Sequence, residues 1–101
     1  MAKDLSVGRL LDFYGYFLSE KQRTLAAYYY NDDLSLAEIA ENEGITRQAV
    51  CELIRRAEHQ LRAWERECRY CESFTRLKSL AAAVRAGEAD AEELTGLIEQ
   101  I

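Results

Sequence analysis

Arg47, Gln48, Arg55 and Arg56 are the side chains best equipped to hydrogen-bond a polyanion. A guanidinium bonds guanine through two parallel N–H donors, and a glutamine amide can do the same for adenine. Arginines one or two helical turns further on are better placed for phosphate oxygens. All four fall in "EIAENEGITRQAVCELIRRA", residues 38–57, where Thr46, Cys51 and Glu52 share their spacing. The candidate nucleic-acid-binding set is Thr46, Arg47, Gln48, Cys51, Glu52, Arg55 and Arg56, and the expected partner is DNA or structured RNA.

A second constellation is "CRYC", residues 68–71, a C-x-x-C pair. A structural zinc site needs four ligands, and only Cys51 and His59 are left to join it. On one continuous helix Cys51 would lie about 25 Å from Cys68, too far to share a metal. A redox C-x-x-C belongs beside a strand–helix unit, and no strand pattern exists here. Core packing is the expected role, with two facing pairs across a dimer holding a metal as the alternative. No phosphate loop, metal cluster or nucleophile motif is visible, so no enzyme, cofactor, bound metal or small-molecule substrate is expected.

These residues need a scaffold, and the scaffold reads as helices throughout. Ser6 precedes a segment that puts Leu10, Leu11, Tyr14, Phe17 and Leu18 on one face. Ser19 with Gln22, and Ser35 with Glu38, form capping boxes opening helices over about 20–30 and 36–42. Asn31, Asp32 and Asp33 favour the turn between them. Thr46 caps a long helix with no obvious stop before 68–73 or even Gly87, and Asp90 with Glu93 opens a last helix. Nothing alternates with period two, so the fold class is all-α: a small domain with a helix-turn-helix and a long C-terminal helical arm.

The turn itself follows from residue types. Ala40 is small enough for a second helix to cross close over the first, and Gly44 can take the positive φ that ends the first helix. Ile45, Val50 and Leu53 fill the wedge with Ile39, leaving Arg47 and Gln48 outside. Tyr28, Tyr29 and Tyr30 could stack on bases. Beside a turn, at least two of them are expected in the core with hydroxyls outward.

Val50, Ile54, Ala57, Leu61, Trp64, Cys68 and Cys71 step by four and three, a heptad seam. The register slips at Phe74 and resumes at Leu77, which marks overwinding or a bend between two helices. A helix over 46–70 would be about 37 Å long. Its far end, Leu61, Trp64, Cys68, Cys71, Phe74 and Leu77, then needs a partner: the first helix folded back, or a second copy. A homodimer is expected. The chain is treated as a single domain over 1–101, with 19–57 as the helix-turn-helix core and 58–101 as a dimerising arm.

Composition sets limits on this. Of 101 residues, 49% are apolar and 31% charged, a globular profile. No apolar run approaches the ~20 residues of a membrane span, and the N-terminus does not resemble a signal peptide, so a cytoplasmic protein is expected. There, three cysteines are expected to be thiols. The net charge is −5 and the pI about 4.9, against indiscriminate binding of nucleic acid. Between Tyr28 and Ile45 stand Asp32, Asp33, Glu38, Glu41 and Glu43, with no Lys or Arg.

Residues 18–61, above all "YYYNDDLSLAEIAE" and "GITRQAV", resemble the YlxM-type helix-turn-helix proteins of bacteria. More distantly they are similar to the promoter-reading fourth region of sigma factors. The likeness continues weakly through residues 61–80. It implies a small cytosolic helical protein, accessory to the signal recognition particle pathway. It carries over Ser35 and Thr46 as helix starts, Gly44 as the turn, and Arg47, Gln48 and Arg55 as the exposed face. Cys51, Cys71 and the last helix lie outside the pattern.

Two functions fit. One is a regulator that binds nucleic acid through 46–56. The other is a protein-interaction module whose acidic surfaces, 28–45 and 88–99, dock a basic signal recognition particle component while the helix-turn-helix serves as scaffold.

Overall fold

The computed structural model describes residues 3–100. Met1, Ala2 and Ile101, which the sequence places in the N-terminal segment and at the end of the last helix, lie outside them. Six α-helices run in order: α1 (Ser6–Tyr14), α2 (Glu20–Tyr30), α3 (Leu36–Glu43), α4 (Arg47–Cys68), α5 (Tyr70–Arg85) and α6 (Ala91–Glu99). A 3-10 turn, Gly15–Phe17, follows α1. There is no strand among the described residues. The fold is all-α.

The caps account for most boundaries. Both capping boxes form, each serine accepting from the N3 backbone while the N3 side chain reaches back. Asp90 accepts from the Glu93 N–H at 2.9 Å and opens α6. The N-cap position of α1 is Leu5, without a side-chain cap bond. Asp4, just before it, accepts from the Ser6 N–H at 3.0 Å and its hydroxyl at 2.7 Å. Ser6 is already inside the first turn.

The chain divides into two compact units, the boundary falling between Glu67 and Cys68. The first holds the helix-turn-helix. Its core joins Leu25 and Tyr29 of α2, Leu36, Ile39 and Ala40 of α3, and Val50 and Ile54 of α4. Leu25, Ile39, Val50 and Ile54 are fully buried. Burial of such side chains contributes about 1.5–3 kcal/mol each.

Tyr29 is buried in this core, and Tyr28 and Tyr30 pack half-buried against it. The three tyrosines serve packing, as expected, but the Tyr30 hydroxyl donates to the Glu58 carboxylate rather than pointing into solvent. Val7, Leu11, Tyr14 and Leu18 are buried along the N-terminal segment. Trp64 of α4 lies with its ring centroid 6.5 Å from that of Tyr14 and 5.8 Å from that of Phe17. At this part of the seam the covering element is the chain's own α1 and the turn after it.

The second unit pairs α5 with α6. Gly87, at φ +80°, ends α5, and the Glu88 N–H bonds back to the Ala83 carbonyl at 2.8 Å. The helix break expected near 68–73 falls at Arg69, which takes the left-handed conformation at φ 56° and ψ 26°. Its guanidinium is tied to the Glu72 carboxylate by two donors, at 3.0 and 3.2 Å.

The other seam residues separate. Cys71 is buried, Leu77 half-buried, Phe74 45% exposed and Cys68 exposed. Cys68, the last residue of α4, is uncovered within the single chain. All three cysteines are thiols.

Candidate nucleic-acid interface

The site begins at a single carbonyl. Gly44 ends α3 at φ 68° and ψ 31°, and its N–H bonds to the Ala40 oxygen. The Ile45 N–H bonds to the same oxygen at 3.1 Å, the six-to-one bond of a Schellman cap. A left-handed residue costs a side-chain-bearing amino acid about 1–2 kcal/mol, which glycine avoids. Ile45 then turns inward, half-buried against the core that contains Ala40.

Thr46 restarts the chain as a helix. Its Oγ1 accepts from the Ala49 N–H at 3.0 Å and its carbonyl from the Val50 N–H at 3.1 Å. α4 then anchors itself through Val50, Ile54, Ala57 and Leu61, all no more than 1% exposed. With that stripe fixed, helical geometry decides where everything else points.

Thr46, Arg47, Gln48, Glu52, Arg55 and Arg56 are all exposed. Counted at about 100° per residue, Gln48, Glu52 and Arg55 lie within roughly 40° of the direction opposite Val50. Arg47, Cys51 and Arg55 form the neighbouring row at i, i+4 and i+8. The structure therefore brings Gln48, Glu52, Arg55 and Arg56 onto one outward surface, with Arg47 on its flank and Thr46 held at the cap that opens the helix.

Cys51 is the exception. It is half-buried and packs against the helix-turn-helix core instead of standing clear of it. Its position on the helix, between Val50 and the outward row, leaves only one edge in solvent. His59, which the sequence reading left without a role, is exposed on the same face as Glu52 and Arg55. Its spacing, seven after Glu52 and four after Arg55, is the signal that locates it.

Charge on this surface is mixed. Glu52 and Arg56 form an i,i+4 ion pair at 2.7 Å, both about two-thirds exposed. Arg62, a turn and a half beyond Arg56, is drawn to Asp4 at 3.0 Å. The Ser6 hydroxyl and N–H hold the Asp4 carboxyl below its usual range, with Arg62 adding to this. Glu58, on the inner flank of α4, is pushed up by burial, opposed by Arg62. On α3, Glu38 and Glu41 are exposed and Glu43 half-buried. Among the described residues no group of three or more His, Cys, Asp or Glu could hold a metal. No described helix is long and apolar enough to cross a membrane.

Two short helices packed on a longer third, a glycine-ended turn, and a polar face opening the third helix define a small helix-turn-helix protein. The family model described as "UPF0122: Putative helix-turn-helix protein, YlxM / p13 like" matches residues 1–101. The chain belongs to this family. It is 43% identical to a UPF0122 protein of Shouchella clausii over 102 residues, 98% of this chain and 94% of the relative. It is 37% identical to the UPF0122 protein YlxM of Bacillus subtilis over 108 residues, 100% of this chain and 94% of that one. With a UPF0122 protein of Symbiobacterium thermophilum, identity is 52% over 59 residues, 58% of this chain and 55% of the relative.

Proposed function

We propose that this protein is a cytoplasmic regulator that binds nucleic acid through the first three turns of α4. The observation that carries the reading is the exposure of Arg47 and Gln48 in the turn after Gly44, on a helix pinned from behind by Val50 and Ile54. Such a helix presents its first turn to base edges and its later arginines to phosphates. A second copy, joined through the seam that includes Cys68 and Phe74, would set the spacing of two such helices.

A place accessory to the signal recognition particle pathway rests on the likeness to YlxM-type proteins. Fluorescence anisotropy against duplex DNA and structured RNA, titrated with salt, tests the main claim. Binding that weakens steeply with salt and falls by about tenfold or more in Arg47→Ala or Gln48→Ala supports it. A flat response to both nucleic acids at low salt rejects it.

The exposed carboxylates of Glu38 and Glu41 favour one other reading. In it α3 docks a basic signal recognition particle component, and α4 is structural. Charge reversal at Glu41 and Glu43 would then abolish capture of that component, with Arg47→Ala harmless.

A further inference from the structure

Glu52 occupies the middle of the outward face of α4, one turn after Gln48 and one turn before Arg55 and Arg56. We infer that Glu52 is the specificity-determining residue of this surface, accepting a hydrogen bond from the exocyclic amine of a cytosine in the major groove of duplex DNA. The inference rests on α4 being the nucleic-acid-contacting helix.

Anything that touches both Gln48 and Arg55 must face the carboxylate between them. A phosphate there meets like charge, so a backbone-only docking is opposed at its centre. A base edge is different. A carboxylate is an acceptor only, and of the two major-groove amines the adenine one stands beside the N7 acceptor, which repels a carboxylate, so the cytosine amine is the donor it matches.

The ion pair with Arg56 does not prevent this. Both partners are about two-thirds exposed, and an exposed i,i+4 pair of this kind adds little to helix stability. On docking, Arg56 is free to move to a phosphate while Glu52 turns to the base. The choice of DNA follows from the same geometry. A face that starts at the helix N-terminus and rises over three turns fits the wide major groove of B-form DNA. The deep, narrow major groove of A-form RNA does not admit it. A central carboxylate also suits a chain of net charge −5, because both weaken binding to unmatched sequence.

Selection from randomised duplex DNA at low salt, with the full chain and with Glu52→Gln, tests this. Glu52 is exposed, so the variant is expected to fold, and its circular dichroism checks that. The parent is expected to enrich sites with cytosine at one fixed position. Glu52→Gln should lose that preference by about tenfold and bind random duplex more tightly. An enriched site without a fixed cytosine, a cytosine preference unchanged in Glu52→Gln, or equal affinity for an RNA duplex overturns the inference and leaves nucleic-acid binding intact. Absence of binding to any nucleic acid removes both.

Discussion

The hydroxyl of Tyr14 donates to Oε1 of Glu65 at 2.7 Å, tying the end of α1 to a point near the end of α4 across 51 residues of chain. The Tyr14 and Phe17 rings both approach Trp64, one residue before Glu65. The first unit thus uses its N-terminal helix to cover the part of α4 that extends beyond α2 and α3. Replacement of Tyr14 by Phe removes one hydrogen bond but keeps the ring. It should lower stability by about 1 kcal/mol. Tyr14→Ala removes the ring too and should cost about 3–5 kcal/mol. Urea denaturation of both variants, followed by far-ultraviolet dichroism, measures the difference.

Much of this was legible beforehand, and the successes share a cause. Ser19–Gln22, Ser35–Glu38, Gly44, Thr46 and Asp90 act on backbone groups within a few residues, so type and spacing carry the whole signal. The polar face of α4 was legible for the same reason, since Val50 and Ile54 fix the helix's rotation. Long-range pairings were not. Asp4 reaches Arg62 and Tyr30 reaches Glu58 only because α1, α2 and α4 meet in space. The stop at Arg69 carries no glycine, and only the register slip toward Phe74 hinted at it. The half-burial of Cys51 was not legible, because helical angle alone does not say how far the core extends around a helix.

Gly44→Ala should destabilise the protein by about 1–2 kcal/mol, purely through backbone strain. A Cβ at Gly44 would meet nothing within 4 Å, so crowding adds no cost. Gly44→Asn should be milder, because asparagine tolerates the left-handed region better than alanine. Thermal melts of the two variants side by side check the order. A larger loss in Gly44→Asn than in Gly44→Ala would mean that space, not φ, constrains the position.

The polar face makes a graded prediction for binding. Gln48→Ala should weaken the matched site by about tenfold and relax preference at one base position. Arg55→Ala should weaken all sequences alike and reduce the slope of log K against log salt by about one. Anisotropy at four or more salt concentrations separates the two behaviours. A slope unchanged in Arg55→Ala would place that guanidinium away from phosphate.

Glu58 offers a test in pH. Burial raises its carboxyl above the usual range, against the pull of Arg62. The folded protein therefore holds that proton more tightly than the unfolded chain does. Its contribution to stability is complete below the ordinary glutamate range and is lost as pH rises through the raised value. Glu58→Gln removes this loss while leaving an oxygen to accept from Tyr30. Asp4 and Asp33 are shifted the other way, by Ser6 and Lys3 respectively, and destabilise as pH falls. Asp33 is common to parent and variant and cancels, while the Asp4 charge also helps raise Glu58 and so adds to the same loss as pH rises. The melting temperature of Glu58→Gln minus that of the parent should be more positive at pH 7 than at pH 4. A constant difference would show that Arg62 balances burial, and a reversed one that Arg62 outweighs it.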